Sequence, residues 1–181
     1  MAPPDAIAPA GARTGSMGGA RGGHDAGAGE HAAGARRAIA RHASTVAFGP
    51  DCGIAIIGPA GAGKSTLALA LIAQGARLVA DDRSLTWPRD GALYARAPRP
   101  IAGLLERRGL GLLRLGHLRL VRLRLVIDLA RTETRRLPAE ETITLQGITL
   151  PCLAAPAKGG ALSAGFPAAL RHYIERPEGN W

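Results

Sequence analysis

The sequence predicts an α/β domain: a mixed sheet with flanking helices that carries a glycine-rich phosphate loop. Three observations predict it. A short apolar strand at 54–57 runs straight into Gly58-Pro59-Ala60-Gly61-Ala62-Gly63-Lys64-Ser65, and a Leu/Ala-rich run follows, which makes a strand, loop and helix unit. Several pairs of short apolar runs are separated by Asp-Gly, Gln-Gly or Gly-Pro turns, the pattern of antiparallel hairpins. Residues 119–129 alternate arginine with leucine at a period of two, as a strand with one buried face does. Hairpins beside a strand–helix–strand unit make the sheet mixed rather than purely parallel.

The elements follow in order. Residues 1–40 are rich in Ala and Gly without a hydrophobic period, so they bury too little apolar surface to offset chain entropy and read as a disordered tail. His24 and His31 fall in this tail as solvated side chains. The folded domain is expected over 41–176, with a C-terminal tail at 177–181. Residues 45–48 and 53–57 read as strands joined by the Gly49-Pro50-Asp51 turn. A helix is expected over 64–74, where Leu67, Leu71 and Ile72 share a face and Gly75 stops the run. A strand at 77–80 ends in two acids. Residues 84–87 and 93–96 flank Arg89-Asp90-Gly91 as a hairpin, and Pro100 favours a short helix over 101–107. After the alternating strand, 142–145 and 148–150 flank Gln146-Gly147 as a further hairpin, and 166–175 reads as a closing amphipathic helix.

Composition narrows the function. The length of 181 residues suits one domain. Lys and Arg number 23 against 14 Asp and Glu, a net charge of +9, which permits nucleic-acid, membrane-surface or phosphate-rich partners without choosing among them. Aromatics at 3% argue against the stacking platforms of a single-strand nucleic-acid binder. No apolar run reaches the length of a spanning helix, and the first residues lack the basic head and apolar stretch of a secretory signal. The expected location is therefore the cytoplasm. Two cysteines, Cys52 and Cys152, are too few for a disulfide framework or a four-ligand zinc site.

The loop at 58–65 satisfies G-x-x-x-x-G-K-[ST] in full. Its glycines let backbone N–H groups curl around phosphate oxygens, Lys64 neutralises the β and γ phosphates, and the Ser65 hydroxyl is a Mg²⁺ ligand. The helix it opens adds its positive dipole end. Asp81-Asp82-Arg83 closes the strand that follows the loop's own helix, and Asp82 lies 82 − 64 = 18 residues beyond the lysine. That separation is about a helix and a returning strand, so one carboxylate can serve the metal and the other can accept a proton from an incoming hydroxyl. Glu106 is the sole acid among eight arginines between Arg96 and Arg124, either a second metal ligand or an ion-pair partner of its arginine neighbours.

These motifs resemble a known family, the bifunctional HPr kinase/phosphorylases. His42, Gly58 to Ser65, Asp81-Asp82-Arg83 and Leu104-Leu105-Glu106-Arg107-Arg108-Gly109-Leu110-Gly111 occur in the family's order, and the resemblance covers 41–151. It implies the fold of that family's catalytic domain in a short, single-domain form. It further implies an ATP- and Mg²⁺-dependent serine kinase acting on the phosphocarrier protein HPr, with reverse phosphorolysis of phosphoserine, assembled as a homohexamer. Asp82 would be the proton acceptor, His42 the active-site histidine, and Lys64 the phosphate anchor. Ser65, Glu106 and Asp81 would form the Mg²⁺ set. Arg136 would match an arginine near the reaction centre, with Arg135 as the neighbouring candidate. The position after the loop serine, often acidic in the family, is Thr66 here and belongs with the nucleotide-binding loop. The family's late segment tied to dephosphorylation has no clear counterpart at 151–158. Two other readings fit the loop, a kinase of a small metabolite and a regulator that senses ATP without catalysis.

Overall fold

In a computed structural model, residues 37–137, 139–156 and 165–175 are described. Residues 1–36 of the tail expected over 1–40, and the tail expected at 177–181, lie outside them. The sheet is mixed, as expected, and it curls around one long strand. In chain order the strands are β1 (Ile39–Arg41), β2 (Ala43–Ala47), β3 (Gly53–Ile57), β4 (Arg77–Ala80), β5 (Ser84–Arg89) and β6 (Ala92–Arg96), then β7 (Leu104–Arg107), β8 (Gly111–Arg114), β9 (Val121–Glu133), β10 (Thr142–Leu145) and β11 (Ile148–Pro156). Two helices, α1 (Lys64–Ala73) and α2 (Gly165–Ile174), complete it.

Strand β9 organises the sheet. It pairs in parallel with β3 and β11 and antiparallel with β6, while β2 lies between β3 and β4 and pairs antiparallel with both. The sequence predicts one buried face for this strand, but both are packed. Gly53 pairs with Leu123 and Ile54 with Leu125, so the register slips by one residue between them. A slip of one residue sends side chains two apart to opposite faces. Leu123 accordingly packs with Ala55, Val126 and Leu150, whereas Leu125 packs with Ile54, Ile56, Leu67, Leu71 and Ile127 beneath the two helices.

Helix α1 forms because its Leu, Ala and Lys are strong helix formers and Leu67, Ala68 and Leu71 present one apolar face to the sheet. Its end is a Schellman turn: Gly75 adopts a left-handed φ of 101°, its N–H donates to Ile72 O (2.9 Å), and the Ala76 N–H donates to Leu71 O (3.0 Å). Arg171 of α2 donates to Gln74 O at 2.9 Å, a cation placed at the negative end of α1.

The hairpins occur where the turns predict them. Asp90 and Gly91 both have positive φ between β5 and β6, and so do Gln146 and Gly147 between β10 and β11. Three expectations need correction. The helix expected over 101–107 is a 3-10 turn at Arg99–Ile101 followed by strand β7, which pairs with β8 in a separate two-stranded sheet. Pro100 stands in the first turn, but the chain is already extended at Ala102, Gly103 follows with φ of 77°, and Leu105 then buries itself in the helix-side core. Ile39 and Ala40, assigned to the tail, pair with Thr86 and Leu85 of β5. Strand β11 runs on to Pro156, beyond the expected 150, because it continues alongside β9. Among the described residues no helix is long and apolar enough to cross a membrane.

Candidate active site

The glycine-rich loop leaves β3 at Gly58, whose φ is 142° and where an added Cβ would stand 3.1 Å from Leu129 Cβ. A side chain there would push the loop off β9. Gly63 caps α1 in a left-handed conformation and provides no side-chain cap, so the first N–H groups of the helix stay open. No acid stands in the first turn to satisfy them. This is the arrangement that favours an anion.

Lys64 is buried, with 6% of its surface exposed. Its Nζ donates to Gly58 O (3.0 Å), Pro59 O (2.8 Å) and His42 Nε2 (2.8 Å). Loss of hydration lowers its pKa, partly offset by the negative charges of Asp82 and Asp81. His42 sits at the bend between β1 and β2, and its Nδ1 lies 3.1 Å from both the backbone oxygen and Oδ1 of Asp82.

Asp81 and Asp82 follow β4 and point to different tasks. Asp81 is buried and accepts from Ser44 Oγ (2.5 Å), Ser65 Oγ (2.9 Å) and the Glu106 N–H (3.2 Å). It is a fixed acceptor joining β2, α1 and β7. Asp82 is exposed at the cavity and has φ of 60°, and the Arg83 N–H donates back to Asp81 O at 2.7 Å. A three-residue turn around a positive φ is strained for a residue with a Cβ, and such strain gathers at functional positions.

These side chains share one cavity of about 360 Å³, lined by His42, Gly61, Gly63, Lys64, Ser65, Thr66, Asp81, Asp82, Glu106, Arg107 and Arg108 among others. The loop, both aspartates, the histidine and Glu106 therefore meet as expected. Among the described residues no group of three or more His, Cys, Asp or Glu is arranged to hold a metal by itself. The Ser65 hydroxyl and the Asp81 and Glu106 carboxylates are hard oxygen donors, which fits Mg²⁺, an ion commonly held by one or two carboxylates together with phosphate oxygens.

Arg136 is elsewhere. It lines a second cavity of about 570 Å³ with Glu133, Arg135, Cys152, Phe166 and Tyr173. The reason is the length of β9: Asp128 pairs with Ile57 just before the loop, and the strand continues to Glu133, roughly 16 Å further on at about 3.3 Å per residue. Arg135 is engaged there too, donating to both oxygens of Glu133 and holding that carboxyl at a pKa of about 2.

Sequence reasoning missed Ser44, and it named Arg107 and Arg108 only as arginines beside Glu106 that pair with it or recognise phosphate, without placing them beside the loop. Ser44 was detectable as a hydroxyl in the wholly buried strand β2, two residues after His42. Arg107 and Arg108 join the cavity because β7 is a strand and not a helix.

Known proteins are similar to this chain in sequence and in fold. A relative named HPr kinase/phosphorylase from Bordetella pertussis is 36% identical over 143 residues, covering 70% of this chain and 46% of its own length. One of the same name from Azoarcus is 38% identical over 139 residues, covering 67% of this chain and 44% of its own. The chain thus spans less than half the length of these relatives. A solved structure, the Hpr(Ser) kinase/phosphatase from Coxiella burnetii, superposes with a TM-score of 0.62 at 23% identity, over 75% of this chain and 95% of that one, which establishes the common fold. The model of the HPr Serine kinase C-terminal domain family matches residues 37–162, and with the loop, the paired aspartates and the β7–β8 hairpin assembled around one cavity, the chain belongs to that family.

Proposed function

We propose that this chain phosphorylates a serine of the phosphocarrier protein HPr, with ATP as donor and Mg²⁺ as the required ion. The observation that carries the reading is the single cavity in which Lys64 and the open amides of α1 face Asp82 across His42. Family membership and the names of the relatives supply the acceptor.

In this reading the loop amides and Lys64 bind the phosphate chain, and Lys64 exchanges its present carbonyl partners for phosphate oxygens. Ser65, Asp81 and Glu106 would hold Mg²⁺, which when bound neutralises charge on those oxygens. Asp82 accepts the proton of the serine hydroxyl as its oxygen attacks the terminal phosphorus, and ADP leaves. His42 donates Nδ1–H to Asp82 and keeps that carboxylate turned into the cavity. In the reverse direction inorganic phosphate attacks phosphoserine, Asp82 returns its proton to the departing serine oxygen, and pyrophosphate forms.

The test is incubation of the chain with γ-labelled ATP, Mg²⁺ and HPr. Acid-stable label on serine that needs Mg²⁺ and is lost in Lys64→Ala supports the reading. ATP bound tightly with no transfer favours the sensor alternative, and transfer to a small metabolite instead of HPr favours the other.

A further inference from the structure

Arg107 occupies the variable position of the Leu-Leu-Glu-x-Arg-Gly-Leu-Gly pattern, and three observations set it apart from a solvated surface arginine. It is half-buried in the wall of the cavity that holds Lys64 and Ser65. Its Nη1 donates to Thr66 Oγ1 at 3.4 Å, which places the guanidinium beside the first turn of α1. Among the described residues it has no carboxylate partner: the nearby Asp81 already accepts from Ser44, Ser65 and the Glu106 backbone.

A cation at the positive end of a helix, with no acid in that first turn, is electrostatically unfavourable. A polyanion in the cavity reverses the sign. Lys64 reaches the outer β and γ phosphates of a chain bound in such a loop, while Thr66 stands two residues further into the helix, on the side where the amides cradle the inner ones. We infer that Arg107 grips the α and β phosphates of a nucleotide and so sets the preference of this cavity for a nucleoside polyphosphate over pyrophosphate. The inference rests on the nucleotide-binding reading above and adds to it a residue that chooses the donor. Arginine suits the task because its planar fork meets two phosphate oxygens at once.

Titration calorimetry of the whole chain with Mg²⁺ and, separately, a β,γ-imido ATP analogue, ADP and pyrophosphate tests it. Arg107→Ala is expected to weaken the analogue and ADP by about tenfold or more and pyrophosphate by less than about threefold. Arg107→Lys is expected to recover part of the nucleotide affinity. Arg114→Ala removes the same charge from the exposed face of β8, outside the cavity lining, and should leave all three affinities unchanged. Arg107→Ala weakening pyrophosphate as much as ADP, or leaving nucleotide affinity unaltered, overturns the inference. A wild-type chain that binds none of the three ligands overturns the nucleotide reading itself, so the two failures are distinct.

Discussion

The Nζ of Lys64 lies 2.8 Å from Nε2 of His42. An ammonium offers only donors, so Nε2 must accept, and the neutral ring carries its proton on Nδ1, which faces Asp82 Oδ1 at 3.1 Å. His42 thus ties the lysine of the loop to the aspartate of the neighbouring strand end, and three functional groups are held in one orientation before any ligand arrives. His42→Ala removes the tie and leaves Lys64 its two carbonyl partners in the loop, Gly58 O and Pro59 O. Phosphotransfer is expected to fall about tenfold or more, while nucleotide affinity changes less, because the amides and the carbonyl-held Lys64 remain. Steady-state kinetics that show a raised KM for ATP and an unaltered kcat would contradict this.

Asp81 links three elements through three donors. Asp81→Ala leaves the buried Ser44 hydroxyl without its acceptor and frees the Glu106 backbone from β4. Stability is expected to drop by about 2–4 kcal/mol, more than for Asp81→Asn, which keeps an acceptor oxygen in place. Urea unfolding of the two variants beside the wild type checks the order.

Burial lowers the pKa of Lys64 from its ordinary 10.5. Between that lowered value and 10.5 the unfolded chain holds a proton that the folded chain has released, so unfolding free energy rises with pH across this window. The lysine penalises the fold while charged and ceases to do so once neutral. Lys64→Met is expected to flatten the rise, read as the pH dependence of the urea midpoint on the alkaline side up to 10.5. Parallel profiles for the two proteins would contradict the burial argument.

Much of this was written in local sequence. The loop's glycines, the Asp-Gly and Gln-Gly turns and Gly75 each require a backbone conformation that their residue types supply, and each acts where expected. Lys64, Ser65, Asp81, Asp82, His42 and Glu106 reach one cavity because short elements join them in order. What failed was decided by long-range packing. Gly103 apart, residues 101–107 carry no local break in a helix; Leu104–Arg107 become β7 because Leu105 finds a core under α1 and the Arg107–Gly111 turn closes on β8. Arg136 lies beyond a strand whose length depends on β11 running beside it, and that pairing is invisible from either segment alone.

Single-turnover transfer from ATP to HPr by Asp82→Asn tests whether Asp82 takes the proton of the attacking serine hydroxyl. Asparagine preserves the size of the side chain and its contact with His42 but accepts no proton. The rate should fall by about a hundredfold or more with nucleotide affinity retained. Transfer by Asp82→Asn at the wild-type rate would contradict the account and leave the strained turn at Asp82 with another purpose.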